Sequence, residues 1–472
     1  MHSRPRSRRA SVAATLWGTV VYLTDCTPPR VRYGYVHRAG RDVIPGPDVT
    51  LRAPAGVTHS TDATAAARPQ ETIASSTTCV LASDGLDVGG IGTVVDMLAR
   101  GLGAHGVRPV VVCQGDGPRA ASLRRAGIEV VSVPDEPSAK AALSRIHPDV
   151  IQSHSAPPFL ERAAMRSGIP LVPVMHNTEI HYTRARWSAF ASLMTASASG
   201  IAVSETVREF HLRRVGPRTP IAVIPNGAPV VEVPGTTERG QARTALANAL
   251  GVDIGDDVVF VCLARYDAQK NIAGLVASFT SAVEQSEVPI RLVCAGDASD
   301  RVEFRRADAL RCAGAASDRI HLLGDSDAAT LLTAADAFIL DSFFEGWPVA
   351  ATEAAAFGLP LLLSDVGGAR ELVKRDPLRS VLIENASGDA TAVDDRRVRT
   401  ARRRSRRQGN ASELREAVRR ISNTVIAERS GDIIRTPLHD GERAGTNAML
   451  AQHAEVIRAA AATAIARENE SI

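Results

Sequence analysis

From Thr78 onward the chain alternates short apolar runs with longer stretches of mixed polarity, the rhythm of strand followed by helix. The run TCVLAS (78–83) is the first convincing strand. It leads through the Gly-rich turn DGLDVGGIG into the helical VVDMLARGLGAHG and then a second strand, VRPVVVCQ. Strand-like runs continue as IEVVSVP, DVIQSHS, LVPVMHN, GIAVSE and IAVIPNG. After a Pro-, Gly- and Thr-rich break near Pro229–Gly240 the pattern restarts with VVFVCLA, IRLVCAG, RIHLLG, AFILDS and LPLLLSD. A single sheet holding all of these would be excessive, so the pattern predicts an α/β protein of two Rossmann-like, doubly wound domains facing a central cleft. The expected divisions are a poorly ordered extension over 1–76, an N-terminal domain over 77–228, a C-terminal domain over 229–442, and a closing helix over 443–472 that packs back on the fold.

The segment 341–373, DSFFEGWPVAATEAAAFGLPLLLSDVGGARELV, is the most informative. Pro348 suits a first helical position, where its missing N–H costs nothing. The Ala-rich run after it ends at Gly358-Leu359-Pro360, predicting a helix from about Pro348 to Phe357. With an apolar run on either side this is a βαβ unit, whose ligands bind beyond the carboxyl ends of the strands, at the positive end of the helix. Glu345 lies in the turn and Glu353 within the helix. Carboxylates only accept hydrogen bonds and repel phosphate, so their presence beside an anion site points to a ligand that joins phosphate to hydroxyls. A solvated turn residue and a helix-surface carboxylate are the plainer alternative.

Composition refines this picture. The hydrophobic share of 44% supports a large core, while only 4% aromatic content leaves packing to aliphatic strands and Ala-rich helices. A net charge of +3 gives no global argument for nucleic acid. The six cysteines form no CxxC pair, and several lie in strand-like runs, which predicts buried reduced thiols.

Two stretches fall outside the repeating pattern. The start, RPRSRR followed by the apolar SVAATLWGTVVYL, resembles the first parts of a signal peptide. It is too short to span a bilayer and lacks a good A-x-A site, so the expectation is a dispensable extension. Near the other end, eight arginines crowd Arg396–Arg407. Without interleaved aromatics they read as a solvated face rather than a nucleic-acid or acidic-membrane patch.

The candidate chemistry gathers at strand ends. Gly90 and Gly92 of GGIG open a helix and permit close backbone approach to a ligand, although a bare tight turn would look the same. Arg265 and Lys270, five residues apart in LARYDAQKN, follow the first strand of the second domain. They would meet the Glu345 turn and the helix start at one edge, a setting suited to a diphosphate.

In that order, GGIG, HNTE, IPNG, ARYDAQKN and EGWPVAATEAAAFGLPLLLSDVGG resemble the retaining glycosyltransferases of family 4, with the GT-B fold, over about residues 77–470. The resemblance implies a nucleotide-sugar donor, UDP- or GDP-linked, held mainly by the C-terminal domain, and an acceptor held mainly by the N-terminal one. Transferred residue by residue, Arg265 and Lys270 would bind the diphosphate, Glu345 the sugar hydroxyls and Glu353 the ribose. Gly346, Trp347, Pro348 and Val349 would complete the donor site, and His176 would face the sugar, able to bond a hydroxyl in either protonation state. No metal and no cofactor are implied. The acceptor would be a saccharide, a lipid-linked molecule or a small molecule, with no nucleic acid. The location would be cytoplasmic, with peripheral contact at the inner membrane face.

The chain departs from the family pattern where Asp341 replaces the usual Pro before the turn and where Trp347-Pro348 replaces the common Phe-Gly. These departures bear on substrate identity. A GT-B sugar-nucleotide epimerase and a catalytically silent sugar-nucleotide-binding protein are the alternatives.

Overall fold

The computed structural model describes residues 8–33, 44–53, 77–86, 89–216, 219–227, 231, 233–431 and 439–470. The chain divides into two compact units. One comprises Asp62–Pro229, Gly346–Val349 and Asp440–Ile472, the other Met1–Thr61, Val230–Glu345 and Ala350–His439.

The first unit is built on strands β1 (Thr77–Gly85), β2 (Val107–Gly115), β3 (Val130–Ser132), β4 (Val150–His154), β5 (Leu171–Met175), β6 (Gly200–Ala202) and β7 (Ile221–Val223). They pair in the order β3-β2-β1-β4-β5-β6-β7, all parallel. Helices cover both faces of such a sheet, which is why β4 and β5 are buried at every position. The strand order reverses between β1 and β4, so the crevice at their carboxyl ends is the switch point.

The second unit repeats the plan with β8 (Val258–Leu263), β9 (Ile290–Ala295), β10 (Ile320–Leu323), β11 (Ala337–Leu340), β12 (Leu361–Ser364) and β13 (Val381–Ile383). The order is β10-β9-β8-β11-β12-β13, again parallel, with its switch point between β8 and β11. The helix expected from Pro348 runs Val349–Ala356.

The last helix, His439–Glu470, belongs to the first unit and buries Met449, His453, Ala454 and Ile457 there. Its approach explains the glycine of IPNG. A Cβ on Gly227 would run into the backbone of Thr446, and the Gly227 N–H lies 3.2 Å from Met449 Sδ.

Within 1–76, residues 8–33 and 44–53 belong to the second unit, and the rest of the expected extension lies outside the described residues. Helix Arg8–Thr24 packs on helix Arg301–Ala313, burying Ala14 and Val21, and Leu51 docks beside β10, where the Asp327 N–H donates to its carbonyl at 2.9 Å. The missed signal was an ionic latch formed over a long sequence separation. Asp25 accepts from Arg402 Nη1 at 2.8 Å and Arg403 Nε at 2.6 Å, and Arg402 also reaches Thr24 Oγ1 at 2.9 Å and bonds Glu303.

The arginine run is therefore not simply a solvated face, because Arg402 is 2% exposed and holds the extension to the domain. The cysteine expectation holds for Cys79, Cys113, Cys262 and Cys294, while Cys26 and Cys312 are exposed; all six are free. Among the described residues no helix is long and apolar enough to cross a membrane.

Candidate functional site

At the second switch point β8 delivers the loop 264–271 and β11 delivers 341–345. Backbone and side chain lock the two loops together. The Phe343 N–H donates to the Gln269 carbonyl at 2.9 Å, and Gln269 Nε2 donates to the Phe344 carbonyl at 2.9 Å and to Glu345 Oε2 at 3.2 Å. Asn385 Nδ2 and Ser387 Oγ donate to the Phe343 carbonyl, and Ser364 Oγ to that of Ser342. Tyr33, from the N-terminal extension, packs edge-on against Phe344 with ring centroids 5.2 Å apart. The residues before Thr78 thus support the loop that carries Glu345.

Lys270 Nζ lies 2.5 Å from Glu345 Oε1, both side chains largely buried, so the structure joins two of the predicted donor residues in one ion pair. Arg265 Nη2 stands 3.1 Å from Asp267 Oδ2 and keeps 45% of its side chain exposed. Asp267 also fixes the loop, its Oδ1 accepting the backbone N–H of Gln269 and of Lys270. Burial raises the Asp267 carboxyl above its ordinary range, and Arg265 and Lys270 pull it back in part.

Below this pair lies Asp341, which accepts from Asn271 Nδ2 at 3.0 Å and Asn410 Nδ2 at 2.8 Å. Burial pushes its carboxyl up to about 7 against those two amides. Asn271 holds a left-handed φ of 53°, a conformation that Asn tolerates better than most residues. The departure at position 341 therefore forms a buried polar clamp across β8 and β11, out of solvent. Glu353, half-buried, sits in the second turn of helix Val349–Ala356.

In the first unit, helix Gly90–Gly101 begins at Gly90 after the end of β1. Gly90 and Gly92 have ordinary helical backbone, and an added Cβ on Gly90 would only touch Val349 Cγ2 at 3.5 Å, so crowding does not explain the glycine at position 90. Gly346 is different. Its Cβ would collide with the His176 carbonyl, and Ser204 Oγ donates to the Gly346 carbonyl at 3.1 Å. Trp347 is buried.

His176 follows β5 and begins a buried polar chain that sequence reading missed. Its Nε2 is 2.9 Å from His154 Nδ1; His154 Nε2 is 2.9 Å from Gln152 Oε1; and His453 Nδ1 is 3.2 Å from the same oxygen. Burial pushes His176 down to about 4 and His453 to about 3. It also takes His154 well below the ordinary histidine range, with the two neighbouring rings adding to the effect. At neutral pH the chain is uncharged, which narrows the expectation of either protonation state at His176 to the neutral ring. With Gln152 Oε1 accepting from both neighbours, His154 carries its proton on Nε2 and receives the His176 Nε2–H. The His176 Nδ1 lone pair is then the acceptor. Gln152 and His154 could have been read from the inward positions of β4. Nothing local marks His453, some 300 residues away.

The structure therefore brings Lys270 to Glu345 and Arg265 to the same loop in the second unit, and Gly346 to His176 in the first. Two doubly wound parallel sheets of this kind are the GT-B fold. Residues 88–231 match the family model described as Glycosyltransferase Family 4, and residues 252–412 match that of Glycosyl transferases group 1. The chain belongs to this family of hexosyl-transferring enzymes.

It is 26% identical over 254 residues to a Bacillus subtilis protein named as the teichuronic acid biosynthesis glycosyltransferase TuaC, covering 52% of this chain and 60% of that relative. It is 28% identical over 337 residues to the alpha-maltose-1-phosphate synthase of Mycobacterium tuberculosis, covering 63% of this chain and 84% of the relative. Among solved structures, Anabaena Alr3699/HepE in complex with UDP-glucose superposes with a TM-score of 0.58 at 16% identity, covering 84% of this chain and 100% of that one.

Proposed function

We propose that the protein moves a sugar from a nucleoside-diphosphate sugar to an acceptor hydroxyl, with retention of anomeric configuration and without a divalent metal ion. The observation that carries this reading is the loop pair at the β8/β11 switch point, where Lys270 pairs with Glu345 and Arg265 with Asp267, in the loops that precede helix Val349–Ala356. The departing nucleoside diphosphate concentrates negative charge. Fixed cations together with helix N–H groups stabilise that charge without reorganising, the role a metal ion would otherwise fill. Glu345, whose Oε2 accepts from Gln269 Nε2 and whose Oε1 pairs with Lys270, keeps lone pairs on its carboxylate to accept a sugar hydroxyl. Glu353 takes the ribose hydroxyls, and His176 accepts from a donor hydroxyl at Nδ1.

The UDP-glucose of the Anabaena enzyme supports a UDP-sugar as the first donor to test. The acceptor is a polysaccharide intermediate, lipid-linked or free, in keeping with the name of the Bacillus relative. We place the enzyme in the cytoplasm, where nucleotide sugars are made.

A thermal-shift screen of UDP-, GDP- and ADP-sugars in the presence of a chelator should raise the melting temperature with one donor class. Product NMR should then show the donor's anomeric configuration preserved. Absence of both binding and donor hydrolysis across the panel would overturn the reading, and a new epimer formed without acceptor would replace it with an epimerase.

A further inference from the structure

The apolar helix Arg8–Thr24 and the arginines beyond Asp395 have no part in the sugar chemistry, yet they meet. The helix turns Ala14 and Val21 onto helix Arg301–Ala313. Its opposite side is also apolar, with Val12 68%, Leu16 58% and Leu23 68% exposed. At 100° per residue Val12, Leu16, Thr19 and Leu23 fall within about 60° of arc, so they form one stripe rather than scattered contacts. A helix that is apolar on two faces requires cover on both.

The charge around the stripe identifies the cover. The Arg403 guanidinium lies 4.3 Å from the ring centroid of Tyr22, itself 53% exposed, at the same end of the helix as Leu23. Arg404, Arg406 and Arg407 follow, exposed and with no ion-pair partner among the described residues, as are Arg396 and Arg397. Asp25, just past the end of the helix, is buried and engaged by Arg402 and Arg403, and Asp395 pairs with Arg32 and Arg399. The stripe is therefore apolar, with the Arg403 guanidinium at its carboxyl end and further exposed arginines following Arg403 in the chain.

We propose that this face docks on an anionic lipid bilayer, with the Val12–Leu23 stripe in the boundary between headgroups and acyl chains and the guanidinium groups on lipid phosphates. The helix has 17 residues and is fastened along one side to the domain, so it lies on the membrane and does not cross it. Stripe and cations supply the two signals that stable peripheral binding needs. A second copy of the chain is the poorer cover, because a symmetric pairing would bring like-charged arginine clusters face to face. The inference gives a surface to the expected peripheral membrane contact. It is read without turnover, so it stands or falls separately from the donor assignment.

The test is co-sedimentation of the full chain with vesicles of phosphatidylcholine alone and of phosphatidylcholine with about a quarter phosphatidylglycerol, at low and high salt. Partitioning should be about tenfold or more stronger on the anionic vesicles and fall with salt. Leu16→Glu with Leu23→Glu should reduce it to the level on phosphatidylcholine, while the thermal shift produced by donor stays as in the wild type. Arg404→Glu, Arg406→Glu and Arg407→Glu together should remove the salt dependence. Equal binding to both vesicle types, or none, would overturn the proposal. So would a dimer in light scattering that Leu16→Glu dissociates without any vesicle binding, since a second copy would then cover the stripe.

Discussion

The two sheets share one strand order over six strands and place their switch points alike, yet the polar groups near their strand ends have opposite chemistry. In the first unit the polar groups on β4, after β5 and on the last helix are neutral and joined through Gln152: His176, His154 and His453 in one buried chain. Between β8 and β11 they are charged: Lys270 on Glu345 and Arg265 on Asp267, set in loops locked by backbone hydrogen bonds. Topology selects where a ligand can sit, and the side chains at the strand ends decide what charge it can carry. A neutral acceptor-rich edge suits hydroxyls, and a cationic edge suits a diphosphate.

The largest effect should come from removing the charge that defines the second edge. Lys270→Ala is expected to lower donor turnover by about 10²–10³-fold, in line with the loss of one preorganised donor to a developing anion. It should also lower the melting temperature, because it leaves Glu345 buried without its cation. Lys270→Arg should recover part of both losses. If Lys270→Ala stayed within about tenfold of wild type, charge would not be what separates the two edges.

The corresponding break in the first unit is Gln152→Leu, which deprives His154 and His453 of their shared acceptor. Two buried ring N–H groups left unpaired should cost about 2–6 kcal/mol. Hydrogen exchange should accelerate in β4 and β5 while β11 and β12 keep their protection. Uniform acceleration across both sheets would mean the chain has no local role.

pH separates the two polar clusters further because the shifts of their key groups have opposite sign. His176 and His453 are depressed to about 4 and about 3, so the unfolded chain binds their protons first as pH falls below about 6.5. Their stabilising contribution is present above that value and is lost toward pH 4, at about 1.4 kcal/mol per pH unit for each ring. Asp341, raised to about 7, binds its proton more tightly when folded. Its contribution is present below about pH 4 and is lost as pH rises toward 7. Hydrogen exchange followed from pH 4.5 to 8 should show β4 and β5 gaining protection while the strands flanking Asp341 lose it. His453→Gln should flatten the first trend and Asp341→Asn the second.

The strands and their parallel order were legible because doubly covered strands must be apolar almost throughout, as in VVFVCLA and LPLLLSD. The second edge was legible for a related reason, since Arg265, Lys270 and Glu345 lie a few residues beyond such strands and topology does the rest. What escaped was contact over long sequence separation. Asp25 finds Arg402, Tyr33 finds Phe344, and His453 finds Gln152, none within the reach of a periodic pattern. Asp341 was seen as a departure from a motif, but its clamp needs Asn410 from a distant loop. The extension and the arginine run looked featureless for the same reason, since each is the other's partner.

The finest test of the comparison concerns Glu353, the carboxylate that the charged edge keeps half-buried in the second turn of helix Val349–Ala356. If it serves only to accept ribose hydroxyls, Glu353→Gln retains one acceptor oxygen and shape while giving up the charge. A hydrogen bond to a charged acceptor contributes about 1.5–3 kcal/mol and one to a neutral acceptor about 1, so donor affinity should weaken by roughly 1 kcal/mol, a factor of about five. The pH–rate profile should keep its shape, since a recognition carboxylate exchanges no proton with the reacting atoms. Titration calorimetry with the nucleoside diphosphate and with the free ribonucleoside can separate the two roles: the loss should persist in both. A displaced limb in the pH profile would instead make Glu353 part of an acid–base pair, and the charged edge would then do chemistry as well as hold its ligand.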